Sequence, residues 1–259
     1  MNPGNSKRSK KPAWLFPVIV IVVASVLIAV TLLRGQSGDE AVPEQGAAAE
    51  VTAPGEDTQD RESPQDMYDR QAPLREEVER RDADDALAMG PVDAPVALVV
   101  FSDYQCPYCA KWNAETLPEL QPHIDAGKLR VEWRDVNVFG EDSARGARAA
   151  YAAGQQDRFW DYHEVLFANG ESLTKRQLTD DHLIALAEEM GGFDMAKFRA
   201  DFASPETAAA VDDNAMLGLQ LGVASTPSFV LGGQPIVGAQ PASVFESVFD
   251  MMLTAAEAR

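Results

Sequence analysis

The sequence predicts an α/β domain with an inserted helical subdomain, preceded by a membrane-spanning segment and a polar linker. Three observations support this prediction. A valine-rich apolar run, residues 95–101, is followed by two closely spaced cysteines and then by a helical pattern. Residues from about 142 to 204 keep helical periodicity throughout, and two short apolar runs separated by glycines come later. Near the N-terminus, residues 13–33 carry no charge.

Residues 13–33 are predicted to form a single transmembrane helix. At ~1.5 Å per residue, these 21 residues would span the ~30 Å hydrocarbon core. The alternative is a cleaved signal peptide, but its apolar region usually runs only ~7–15 residues and ends at an Ala-x-Ala-like site, which is not found here. Four basic residues precede the span: Lys7, Arg8, Lys10 and Lys11. We therefore expect a signal anchor in the cell membrane, with residues 1–12 cytoplasmic and the rest extracytoplasmic.

Residues 34–81 are predicted to be a disordered acidic linker, because they are rich in Pro, Gly, Ala, Glu and Asp and show no hydrophobic period. Five of the 22 Lys and Arg lie up to residue 34, whereas all 41 Asp and Glu lie beyond it, so the remainder carries a net charge of −24. Such a charge argues against binding to nucleic acid and against electrostatic adhesion to anionic lipid.

The chain has two cysteines, Cys106 and Cys109, separated by Pro107 and Tyr108. They lie between the apolar strand and the predicted helix 110–127. This placement puts the first sulfur at a helix N-terminus, where unpaired N–H groups and the helix dipole favour a thiolate. A Cys-x-x-Cys in this position is typical of a thiol–disulfide redox couple.

Inert cysteines and half of a zinc site are the alternatives to redox chemistry. Zinc needs about four ligands, and the three histidines, His123, His163 and His182, are scattered without ligand spacing. We therefore expect no metal and no cofactor. His163 is predicted to be a surface or capping residue rather than a catalyst, because its spacing suits no relay.

The remaining elements follow in a definite order. A second strand is predicted at 129–136, a hairpin at 227–237 around Gly232-Gly233, and an amphipathic helix near the end of the chain. The helices of the central block are predicted at 143–155, 159–167, 180–190 and 195–203, and another helical run follows at 206–222. This order corresponds to a thioredoxin fold with a helical insertion between its two halves.

Three separated segments, 101–109, 159–167 and 222–229, resemble the DsbA-like family of exported thiol:disulfide oxidoreductases. The resemblance extends over roughly 82–253, and we assign 82–259 to one such domain. It implies that Cys106 is the exposed nucleophile and Cys109 the buried resolving thiol. It also implies that Thr226-Pro227 forms a cis peptide facing the disulfide, where a substrate segment could pair with the backbone.

One position departs from the family. Thioredoxin and the best-known DsbA-like protein carry a buried acid six residues before the first cysteine, and here that position is Val100. The proton leaving Cys109 then needs another acceptor, and Asp103 is the nearest candidate in sequence. The alternative is that Asp103 only stabilises the helix N-terminus through the dipole.

The resemblance implies an enzyme that introduces disulfides into exported proteins. Its substrates would be reduced exported proteins, and a membrane-embedded redox partner would reset its disulfide. A reductase or isomerase of the same fold is the main alternative, and a module that binds unfolded segments without catalysis is another. Pro107-Tyr108 is the dipeptide of glutaredoxins, whose potentials are intermediate, so these two residues tune the couple without settling its direction.

Overall fold

The computed structural model describes residues 63–258. The predicted transmembrane span and most of the predicted linker therefore lie outside the described residues. Within 63–258, no helix is both long and apolar enough to cross a membrane.

The segment between residues 63 and 81 is folded, so the prediction of a disordered linker is wrong there. Helix α1 (Pro64–Arg70) begins after Ser63, whose hydroxyl accepts a hydrogen bond from the Asp66 N–H at 3.1 Å, and α2 (Ala72–Val78) follows at once. Tyr68 and Val78 are buried. The apolar stripe of this segment is too thin to predict a stable helix from the sequence. The two helices are stabilised instead by tertiary contacts with the rest of the domain.

A five-stranded sheet forms the centre of the domain in the order β1-β3-β2-β4-β5. Strands β2 and β3 are parallel, and the other pairs are antiparallel. The strands are β1 (Ala88–Met89), β2 (Val96–Ser102), β3 (Leu129–Asp135), β4 (Ser228–Leu231) and β5 (Gln234–Val237). The four longer strands match the predicted ones, whereas β1 is too short to give a sequence pattern.

The helix predicted after the cysteines is divided into α3 (Pro107–Glu115) and α4 (Leu117–Asp125). Thr116 lies between them, and Pro118, the second residue of α4, has no N–H to continue the hydrogen-bond ladder. The helical block follows β3 as predicted. It contains α5 (Glu141–Gly154), α6 (Phe159–Leu166), a 3₁₀ turn (Ala168–Gly170), α7 (Asp180–Met190) and α8 (Met195–Phe202), and α9 (Pro205–Gln220) and α10 (Ala242–Glu257) complete the domain.

The two faces of the sheet differ in character. We call the face that carries Val100 and Ser102 of β2, with Trp133 and Asp135 of β3, the cysteine face, because the two cysteines belong to the same buried cluster as Val100 and Trp133. The opposite face, called here the arginine face, is apolar on β2 but presents three charged β3 residues: Arg130, Glu132 and Arg134. All seven β3 residues are buried, since helices and the N-terminal segment cover both faces.

Candidate active site

Cys106 occupies the N-cap position of α3. The backbone N–H of Cys109 donates to its sulfur at 3.4 Å, and the sulfur lies 3.2 Å from the carbonyl oxygen of Thr226. The pKa of Cys106 is lowered to about 6, mainly by the hydrogen bond from the Cys109 thiol. Burial raises this pKa, whereas Thr226 and two backbone N–H groups of the first helical turn lower it further. The site thus stabilises a thiolate on Cys106 near neutral pH.

Cys106 was predicted to be exposed, and that prediction is wrong, because only 2% of the residue is accessible to solvent. The Thr226 carbonyl lies against the sulfur and covers it. A client can therefore reach the Cys106 sulfur only past the Thr226-Pro227 loop. Tyr108, two residues along the chain, is 64% exposed. Pro107 opens α3, where its missing N–H leaves no helix hydrogen bond unmade.

Cys109 is also buried and belongs to the same core cluster as Cys106. Burial raises the pKa of the Cys109 thiol far above its usual range, and the hydrogen bond with Cys106 and the charge on that sulfur raise it further. The Ser102 hydroxyl and the backbone N–H of Asp103 act in the opposite direction. The two cysteines, both thiols in this structure, are therefore strongly unequal acids, as an attacking and a resolving thiol need to be.

The Thr226-Pro227 peptide bond is cis, as expected. Its loop is held beside the cysteines because β4 begins at Ser228 and pairs with β2, with Phe101 opposite Ser228. The Ser228 hydroxyl donates to the carbonyl of Ser225 at 2.7 Å and fixes the turn before the strand. Two segments about 120 residues apart in sequence are thereby brought into contact.

Asp103 is fully buried, and its carboxylate is occupied. Oδ1 accepts from the Gln105 N–H at 2.8 Å and from the Ser143 hydroxyl at 2.6 Å, and Oδ2 accepts from the Phe139 N–H at 3.1 Å. These bonds tie the loop after β2 to the start of α5. Neither oxygen is hydrogen-bonded to Cys109 or to the first turn of α3. The carboxylate is therefore not placed by a direct bond for either role that the sequence suggested, proton acceptor for Cys109 or stabiliser of the helix N-terminus.

His163 is also buried, which contradicts the prediction of a surface or capping residue. Its Nδ1 lies 3.0 Å from the Tyr104 hydroxyl and its Nε2 lies 2.8 Å from Asn113 Oδ1. Burial lowers the pKa of His163 to about 3, so the ring is neutral at neutral pH. Since an amide oxygen only accepts, Nε2 carries the proton and Nδ1 accepts from Tyr104.

Sequence reasoning missed two further groups on the cysteine face of the sheet. Asp135 is fully buried; the indole N–H of Trp133 donates to Oδ1 at 2.9 Å, while Oδ2 has no hydrogen-bond partner among residues 63–258. Ser102 lies directly opposite Asp135 in the β2–β3 register. The alternation along β3 places Asp135 on the face of Trp133, but nothing in the sequence indicates that this position lies beside Ser102.

Comparisons with known proteins agree with this geometry. The thioredoxin family model matches residues 82–250. The probable disulfide bond formation protein D of Bacillus cereus is 31% identical over 150 residues, which cover 56% of this chain and 69% of the relative. The oxidised BdbD structure from Bacillus subtilis has a TM-score of 0.59 at 25% identity, covering 65% of this chain and 92% of that one.

The fold is also shared with a more distant structure, α-DsbA1 from Wolbachia pipientis. Its TM-score is 0.58 at 16% identity, and the match covers 66% of this chain and 92% of that one.

Proposed function

Because the chain belongs to the thioredoxin family and is a DsbA-like thiol:disulfide oxidoreductase, we propose that it works as an oxidase that introduces disulfides into exported proteins. The choice of direction is carried by the 31% identity to a probable disulfide bond formation protein, and the state of Cys106 is compatible with it. The Cys106 sulfur is held at the N-terminus of α3, where its pKa is lowered to about 6 chiefly by the Cys109 thiol. A stabilised thiolate favours the dithiol form, so the corresponding disulfide readily accepts electrons.

Catalysis in this direction proceeds in two exchanges. A client thiolate attacks Cys106 Sγ, the bond to Cys109 breaks, and its electron pair passes to Cys109 Sγ. A second client thiolate then attacks the client sulfur of the mixed disulfide, which forms the client disulfide and releases Cys106 as a thiolate. The client gives up two electrons and two protons in total, and a membrane-embedded oxidising partner would remove them from the dithiol.

The Thr226-Pro227 loop would position the client. Its carbonyl lies 3.2 Å from the sulfur that is attacked, and an extended client segment could pair with this stretch of backbone as an added strand. The aromatic ring of Tyr108, which is largely exposed near Cys106, would contact the same segment. Recognition through backbone atoms suits an enzyme with many clients, because it depends little on client sequence.

We further propose that residues 13–33 anchor the enzyme in the cell membrane with its domain outside the cytoplasm. The basic N-terminal residues and the length of the uncharged run support this arrangement. Alkaline carbonate washing should leave the full chain in the membrane pellet, and a membrane-impermeant thiol reagent should reach Cys106 in intact cells. A soluble form that begins after residue 33 would contradict the anchor.

The direction of electron flow is tested by the reduction potential. Equilibration with glutathione buffers should give a value nearer to the ~−120 mV of DsbA than to the ~−270 mV of thioredoxin. Alkylation trapping in growing cells should find the Cys106–Cys109 pair mostly as a disulfide. A thioredoxin-like potential with a mostly reduced pair would favour the reductase instead.

The roles of the two cysteines are tested by trapping. Cys109→Ser should accumulate client mixed disulfides on Cys106, because intramolecular resolution is lost, whereas the matched Cys106→Ser variant should accumulate none. Adducts on Cys109 in the second variant would reverse the assignment. A double Cys→Ser variant that still restores client folding would point to the non-catalytic binding module.

A further inference from the structure

The exchange reactions require a proton at Cys109, which has no direct access to bulk water. When the disulfide is opened at Cys106, Cys109 is released as a thiolate, and burial, which raises the pKa of this thiol, strongly favours its protonation. In the reverse step the same proton must leave before Cys109 can attack. The apolar side chain of Val100 occupies the position where related proteins carry an acid, so another group has to exchange this proton.

Most buried polar groups near the cysteines are already engaged. The Asp103 carboxylate accepts three hydrogen bonds. Both ring nitrogens of His163 are bonded, to Tyr104 and Asn113. The pKa of Tyr104 is raised well above its usual value, mainly by burial, so its hydroxyl keeps its proton. These groups cannot accept the Cys109 proton without losing a bond that the fold uses.

Two groups on the cysteine face remain available. The Ser102 hydroxyl is close enough to Cys109 to lower the pKa of the thiol, yet it forms no hydrogen bond of normal geometry within the described part of the chain. Asp135 lies opposite Ser102 on the neighbouring strand, with one carboxylate oxygen unpaired. In a parallel pair, register partners point to the same face, so the Ser102 hydroxyl, which acts on Cys109, and the Asp135 carboxylate lie side by side on the cysteine face.

We propose that Asp135 is the proton donor and acceptor for Cys109 and that the Ser102 hydroxyl, directly or with one water molecule, connects the two. The inference depends only on thiol:disulfide exchange and is the same for either direction of electron flow.

The transfer balances in both steps. When a client thiolate opens the disulfide, the S–S bond breaks, the electron pair goes to Cys109 Sγ, and protonated Asp135 supplies the proton and becomes a carboxylate. When Cys109 attacks the mixed disulfide on Cys106, its proton returns to Asp135, a new S–S bond forms, and the leaving thiolate departs with the electron pair. The carboxyl is therefore regenerated over one complete cycle.

The environment of Asp135 suits this role. Burial raises the pKa of Asp135 to about 7, and the charge of Asp103 adds to the rise, while the Trp133 hydrogen bond and the Arg134 charge oppose it. Tyr104 also faces the carboxylate, whose charge raises the pKa of that hydroxyl. A group with a pKa near the working pH both gives and takes a proton with little cost.

The full-length protein, with a glutathione mixed disulfide formed on Cys106 at acidic pH, allows a direct test. After a pH jump, acid quenching follows the release of glutathione as Cys109 attacks. Asp135→Asn should slow release by about 100-fold at neutral pH and abolish the inflection near pH 7, since Asn still accepts from Trp133 but cannot titrate. Ser102→Ala should slow release in the same way by a smaller factor, while Ser143→Ala, which removes another buried hydroxyl, should retain the wild-type profile.

A second measurement separates proton transfer from a structural role. Its main readout is made on the wild-type protein and so does not depend on the folding of a variant. Infrared difference spectra between the reduced and oxidised wild-type protein should contain a protonated-carboxyl band, and Asp135→Asn should lack it. A wild-type pH profile in Asp135→Asn, or a wild-type difference spectrum without a carboxyl band, would overturn the proposal.

Discussion

Glu132 and Asp135 lie three residues apart on β3, on opposite faces of the sheet, and both are fully buried. Glu132 accepts from the backbone N–H groups of Arg80 and Arg81 and pairs with the side chains of Arg130 and Arg134. Its pKa is lowered, although burial, the largest single influence, raises it. The Asp135 carboxylate has one hydrogen bond among residues 63–258, and burial raises its pKa to about 7.

The difference shows that burial alone does not decide the state of a buried acid. Removing a carboxylate from water is costly in both places, and the number of partners determines whether the charge survives. On the arginine face, the charges join the N-terminal segment at residues 80–85 to the sheet. On the cysteine face, the missing partner leaves a carboxyl that can change its protonation state during turnover.

The largest effect is expected on the arginine face. Glu132→Gln should lower the free energy of unfolding by about 3–5 kcal/mol, because it leaves Arg130 and Arg134 buried with one partner charge fewer. Urea unfolding at neutral pH measures the change. Glu188→Gln is the matched control, since Glu188 pairs with Arg199 at the surface with both side chains about half exposed, and it should cost less than about 1 kcal/mol.

A loss in Glu132→Gln as small as that of the control would show that the paired acid is dispensable and would remove the contrast between the two faces. The redox potential should stay at its wild-type value in both variants, since Glu132 lies on the face away from the cysteines.

The next effect concerns pH and Asp135. Its folded pKa of about 7 lies above the ~3.9 of an unfolded aspartate, so the native state binds the extra proton between these values and stability falls as pH rises through this window. The free energy of unfolding of the wild type relative to Asp135→Asn should therefore fall by about 2–4 kcal/mol between about pH 4 and pH 8. Denaturant melts of the two proteins at matched pH values measure this difference.

A constant difference between the two proteins across that range would mean that Asp135 is ionised throughout, like Glu132. The comparison would then reduce to two charged acids with different numbers of hydrogen bonds.

The smallest effect is expected at Asp103, a third buried acid that is held by neutral donors only. Ser143→Ala removes one of its three hydrogen bonds and should cost about 1 kcal/mol in the free energy of unfolding, as measured by urea unfolding at neutral pH. An unchanged free energy of unfolding would show that the two backbone N–H donors, those of Gln105 and Phe139, satisfy the carboxylate without the hydroxyl.

Much of the fold was predictable because its signals are local. The valine-rich strand before Cys106, the helix after it, and the hairpin at Gly232-Gly233 are each determined by patterns within about ten residues. The helical insertion follows from a long helical periodicity. The cis Thr226-Pro227 bond was expected from the family resemblance. Its position beside Cys106 follows from the antiparallel pairing of β4 with β2.

The sequence by itself determined the redox pair, the order of the elements and the insertion, since strand and helix periodicity, proline and glycine act on neighbouring residues. Only the tertiary structure decided which buried acid has an unpaired oxygen beside Ser102, because Asp103 is next to the cysteines along the chain, whereas Asp135 comes beside Ser102 through the parallel pairing of β3 with β2. The same holds for the folding of residues 63–81 and the burial of His163. In each case the deciding energy comes from contacts between distant parts of the chain, which no local pattern records.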